Sequence, residues 1–136
     1  MRIVLDKGAL MPTRGHNTDA GLDLRTPVTR VAYPHSSICI DTGVHVEIPE
    51  GYCGLLKSKS GLNTKFMIQT EGVIDAGYTG SIVVPVYNHS DEPYIFGAGD
   101  KITQLVIVPI LLPELELVDS LEETDRGDNG FGSTGK

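Results

Sequence analysis

The chain has 136 residues, of which 40% are hydrophobic and 21% charged, a balance that suits one soluble globular domain with a modest core and predicts no second one. A net charge of -7 opposes binding to the backbone of a polymeric nucleic acid, and no apolar run approaches the ~18 residues of a membrane span. Met1 to Lys7 meets charge before any apolar stretch long enough for a signal peptide, and Cys39 and Cys53 are too few for a disulfide framework, so a reducing, cytoplasmic setting is expected.

Sixteen glycines and eight prolines against few aromatics predict many turns and an all-β chain. Arg2 to Leu5 is an apolar run of strand type, followed by a breaker-rich loop from Pro12 to Thr18. In Ala20 to Arg25, Leu22 and Leu24 share one face of an extended segment while Asp23 points to the other, the geometry of an anchored carboxylate. Val28 to Ala32, Ser37 to Asp41 and the alternating Val44 to Ile48 are short strands. Pro34, Pro49 and Gly51 separate them at spacings near the ~8–12 residues of a sandwich or barrel. Gly51 to Leu56 runs into Lys57 to Lys65, where Ser60 is expected to N-cap a short helical turn. Unpaired N–H groups at that helix start, beside Lys59, would suit a phosphate.

Phe66 to Thr70 leads into Gly72 to Gly80, where Val73 and Ile74 end a buried strand and Gly77 and Gly80 permit positive φ. Asp75 and Tyr78 thus fall at the mouth of a hairpin. Two roles are open to Asp75, a general base or a carboxylate capping its own turn, and Tyr78 can equally be a packing residue with a wet hydroxyl. Ser81 to Asn88 is a strand that Pro85 confines to an edge or bulge. In the apolar Thr103 to Val108, Gln104 is the polar member and needs a partner. Glu114 to Val118 alternates as a strand does, and Asp119 to Asp125 is an acidic lead-in to a mobile tail. The tail Gly130 to Gly135 formally matches G-x-G-x-x-G, but only Lys136 follows it, so a Rossmann loop is excluded and a flap over phosphates fits better. His16, His35, His45 and His89 lack metal-type spacing and read as solvated or structural.

Five stretches, Ala20–Leu24, Lys59–Leu62, Gly72–Gly80, Gly99–Leu105 and Arg126–Gly135, resemble in their order the motifs of the trimeric deoxyuridine triphosphate nucleotidohydrolases, the dUTPases. The resemblance implies an all-β distorted jelly roll or barrel of short strands, assembled as a homotrimer. It implies a β domain over residues 1–118, with residues 119–136 closing over the active site. The implied reaction is Mg²⁺-dependent hydrolysis of dUTP to dUMP and pyrophosphate, which limits dUTP and supplies dUMP for thymidylate synthesis. Asp75 would activate the water that attacks the α-phosphorus. Gln69, Thr70, Gly72, Val73 and Ile74 would flank a uracil read by backbone groups, with Tyr78 under the deoxyribose. Lys59, Ser60, Gly61 and Gln104 would meet the phosphates. Arg126, Gly132, Ser133 and Thr134 would reach them from the tail, with Phe131 laid on the base. Asp23 would approach the magnesium through water or hold the subunit interface around it. Lys59 stands where the family usually has Arg, Ser58 where it has Pro, and Lys101, where Arg is common, is given no role. The alternatives are an enzyme related to the dCTP deaminases and a nucleotide-sensing protein of dUTPase fold with a regulatory protein partner.

Overall fold

The computed structural model describes residues 1–129. They form β1 (Ile3–Leu5), β2 (Gly21–Arg25), β3 (Arg30–Ala32), β4 (Ser36–Asp41), β5 (Val44–Val46), β6 (Tyr52–Lys57), α1 (Ser60–Phe66), β7 (Ile68–Ile74), β8 (Val83–Asn88), β9 (Tyr94–Phe96) and β10 (Lys101–Pro109). The expected all-β class holds. Six strands make one curled sheet in the order β2-β10-β6-β7-β8-β4, and β1–β5 and β3–β9 form two-stranded ribbons beside it. No described helix is long and apolar enough to cross a membrane.

Strand β7 gives the sheet its bend. Ile68 to Thr70 pair with Asn88 to Val86 of β8, whereas the far half, Glu71 to Ile74, pairs with Lys57 to Gly54 of β6. Alternation along it sends Ile68, Thr70 and Ile74 into the core and leaves Gln69, Glu71 and Val73 exposed. Leu24, Leu56, Ile68, Val84, Phe96 and Leu105 are fully buried and tie the sheet and both ribbons into one core. Pro85 pairs with Cys39 on one side, and the β7 ladder stops at Val86, so its missing N–H costs no bond there.

Three local expectations are corrected. Ser60 is the first residue of α1 and Lys59 occupies the N-cap without a side-chain cap bond. Gly77 has φ of 88°, as a tight turn requires, but Gly80 is not in the positive-φ region. Glu114 to Val118 forms no strand: Ile110 donates to the Gly51 carbonyl at 2.9 Å, and the chain then leaves its own sheet. Leu115 and Leu117 are 95% and 100% exposed, because a strand needs a ladder partner and this chain supplies none there.

Candidate active site

The candidate site residues fall into two groups, and the topology holds them apart. The first is built on Asp23, which is only 5% exposed although it sits on the face of β2 opposite Leu24. That face is covered by two lysines. Lys59 Nζ donates to Asp23 Oδ1, and Lys101 Nζ lies 2.6 Å from Oδ2. Burial by itself would raise the Asp23 pKa, but hydrogen bonds and charge from Lys101 and Lys59 prevail and hold the carboxyl below its usual range. Lys101 is the member of this group that residue order left without a role. A register shift between Lys101 and Thr103 lets the consecutive Ile102 and Thr103 both be fully buried while Lys101 reaches across to Asp23.

Gln104 lies beside Asp23 in the β2–β10 register, and its Nε2 donates to the Ser58 carbonyl at 3.1 Å, which answers the need for a partner. Gly21 makes room for it. A Cβ at Gly21 would stand 2.9 Å from the Gln104 Cβ and collide with its amide oxygen. Ser60 and Gly61 begin α1 at the rim of an open cleft of about 470 Å³ that is also lined by Arg25, Lys59 and Lys101. The first N–H groups of a helix have no intrahelical partner, so the cleft collects donors and cationic charge, with Asp100 the one acid on its rim among the described residues.

The second group sits on the turn after β7. Tyr78 N donates to the Asp75 backbone carbonyl at 3.2 Å, which closes the turn without using the Asp75 side chain. Among the described residues no group donates to the Asp75 carboxylate, and the side chain is exposed, so the turn-capping role is not the one it plays. Tyr78 is held from both sides: its hydroxyl donates to the Ser81 carbonyl at 3.0 Å, and its ring lies so close over Gly80 that a Cβ there would be 2.6 Å from Cζ. Gly80 is thus required by close approach rather than by backbone conformation.

A family model described as dUTPase matches residues 7–135. The chain belongs to the dUTPase family. It is 41% identical over 132 residues to a probable deoxyuridine 5'-triphosphate nucleotidohydrolase of Schizosaccharomyces pombe, covering 96% of this chain and 94% of that one. It is 42% identical to the deoxyuridine 5'-triphosphate nucleotidohydrolase of Arabidopsis thaliana, covering 96% and 80%. Among solved structures, the Staphylococcus bacteriophage 80alpha dUTPase with dUpNHpp superposes with a TM-score of 0.92 at 38% identity, covering 99% of this chain and 98% of that one.

Within one dUTPase chain the two groups do not meet. Lys57 pairs with Glu71 and Gly54 with Ile74, so Asp75 lies four strand residues, roughly 13 Å, back from the end of β6 that leads to Lys59. Gly72 and the exposed Val73 run along that interval, and Ile74, 8% exposed, is core. Thr70 is turned inward: it is 2% exposed, with its hydroxyl 2.7 Å from that of Thr103 and its N–H donating to Ser58 Oγ at 2.9 Å. Its side chain is thus spent on the core, so only its backbone remains to flank a ligand. Gln69 Oε1 is 3.1 Å from His89 Nε2 on the outer face. Arg126 donates to the Asn129 carbonyl at 3.0 Å within its own turn and touches neither group. Phe131, Gly132, Ser133 and Thr134 lie outside the described residues.

Proposed function

We propose that this chain is a dUTP diphosphatase, hydrolysing dUTP to dUMP and pyrophosphate. The observation that carries the reading is the turn after β7, where a carboxylate with no donor among the described residues stands three residues from a tyrosine fixed by Ser81 and Gly80. Asp75 takes a proton from water as that water attacks the α-phosphorus, and the bond to the bridging oxygen breaks as pyrophosphate departs with the electron pair. Tyr78 presents its ring to the deoxyribose and leaves no space for a 2′-hydroxyl, while backbone groups around Gly72 to Ile74 read the uracil edge. Lys59, Ser60, Gly61 and Gln104 take the phosphates at the cationic cleft. The S. pombe and A. thaliana relatives are named for this activity, and the bacteriophage structure holds dUpNHpp.

The separation of Asp75 from that cleft supports a homotrimer in which one chain's turn faces another chain's cleft, with the tail from Arg126, including Phe131, Ser133 and Thr134, closing the site from a neighbour. The exposed leucines after β10 fit the same assembly. For Mg²⁺ the donor set is telling: among the described residues no three His, Cys, Asp or Glu side chains gather, and Asp23 already faces two ammonium groups. Such residues fit a cation that arrives on the triphosphate, with Asp23 approaching it through water. Bound there, Mg²⁺ neutralises phosphate charge. A variant of the phage phi11 dUTPase, 37% identical with a TM-score of 0.81, is described with a structural Mg(II) ion.

Pyrophosphate release measured across dUTP, dTTP, dCTP and UTP tests the reading. dUTP should be strongly preferred, and comparable rates with dTTP or UTP would overturn it.

A further inference from the structure

The leg of the turn that follows Tyr78 is fastened to β4 and β5 by several bonds. Ile82 donates to the Val44 carbonyl at 2.8 Å and its carbonyl accepts from Thr42 Oγ1 at 2.8 Å, while Ser81 Oγ donates to Asp41. A further fastener is a histidine. His45, on β5, has Nδ1 2.8 Å from the Thr79 carbonyl, and Nε2 3.3 Å from the Asp6 carboxylate. A carbonyl oxygen only accepts, so Nδ1 must carry hydrogen. The neutral ring would then turn the Nε2 lone pair toward a carboxylate, in a position closed to water and without a hydrogen-bonding partner. Protonation replaces that repulsion with attraction.

We propose that His45 is a positioning residue for the reaction of the Asp75 turn: as an imidazolium it bridges the Thr79 carbonyl and Asp6, and so pins the turn carrying Asp75 and Tyr78 to the β1–β5 ribbon. The proposal rests on the dUTP-hydrolase reading. The charged groups facing the ring are Asp6 at the end of β1 and Asp41 at the end of β4, with the Arg2–Glu47 ion pair farther along the same ribbon face. The bond to Thr79 and then that to Asp6 raise the His45 pKa above the ordinary histidine value, outweighing desolvation. The clamp is therefore complete below the ordinary histidine value and released as pH rises through the raised one. Asp75 needs angstrom-level placement for in-line attack, so release lowers kcat more than it raises KM.

The test is the pH profile of dUTP hydrolysis for the native protein, His45→Gln and Asp6→Asn, together with the NMR titration of the His45 ring and the Thr79 and Gly80 amides. The native kcat should fall on the alkaline side with the midpoint seen for the His45 ring, and the two amides should shift with it. His45→Gln, whose amide can still donate to Thr79, should lose that limb; His45→Ala should lose about tenfold in kcat on the acid side and approach the native rate on the alkaline side. Asp6→Asn, a surface change, should move both the limb and the ring titration to lower pH. A native protein with no dUTP hydrolysis at any pH would refute the functional reading, while the amide titration would still report on the clamp. Hydrolysis whose alkaline limb is unmoved in both His45→Gln and Asp6→Asn, or amides that ignore the His45 titration, would overturn the positioning role.

Discussion

A site divided between chains can be detected by complementation. Asp75→Asn removes the proposed base, and Gln104→Ala removes an amide at the phosphate cleft; each alone should reduce turnover at least about 10²-fold. Neither threatens the fold. The Asp75 side chain has no described donor to lose, and Gln104 gives up one bond to the Ser58 carbonyl, about 1 kcal/mol against a total of ~5–15. The β6–β7 register puts the two positions at opposite ends of the strand pair, roughly 13 Å or more apart, too far to act on one phosphorus atom from the same chain. When the two variants are unfolded, mixed equally and refolded, half of the turns and half of the clefts are intact, so about a quarter of the sites should be complete. Pyrophosphate release should therefore recover to about a quarter of the native rate. Separately assembled trimers, combined without exchange, should recover nothing. Heterotrimers seen by native mass spectrometry with activity no greater than that of the parents would refute the divided site.

Three further outcomes are expected. Gly80→Ala should push the Tyr78 ring off its seat and lower the preference for dUTP over UTP in kcat/KM by about tenfold, and an unchanged ratio would remove Tyr78 from sugar selection. Asp23 titrates below the usual carboxylate range when folded, so its contribution to stability is complete above the unfolded value of ~3.9 and disappears as pH falls through the lower folded value. Asp23→Asn should cost about 1–3 kcal/mol at pH 7, less than a fully buried pair because both lysines reach solvent. That cost should shrink in strong acid, and a thermal-unfolding difference independent of pH would contradict the ion-pair account. EDTA should abolish hydrolysis without lowering the melting temperature, and Mg²⁺ should restore it; full activity in chelator would contradict the metal dependence.

Much of this was readable from residue order. The strands β2 and β5 follow from alternation, β10 from its apolar run and the Asp75 turn from its glycines, because these signals act over a few neighbouring positions. What escaped depended on pairing between distant segments. Lys101 became a partner of Asp23 only through the β2–β10 register and its bulge, which no local pattern encodes. Ser60 looked like a cap because its residue type favours that place, yet the helix begins one residue earlier than that choice allows. His45 read as solvated or structural, since nothing around it in sequence announces Thr79 or Asp6. The alternation of Glu114 to Val118 was real, but a strand pattern states a need for a partner and not where the partner is.

The leucines beyond β10 carry a cost for a chain newly released from the ribosome. Leu111, Leu115, Leu117 and Leu121 are between 86% and 100% exposed, a surface of the kind that recruits unwanted neighbours as readily as correct ones. In the proposed trimer, solubility becomes a race between meeting two identical chains and meeting anything else. If these side chains are covered only in the assembly, folded lifetime depends on protomer abundance, and dilution, more than heat, becomes the gentlest way to take the protein apart.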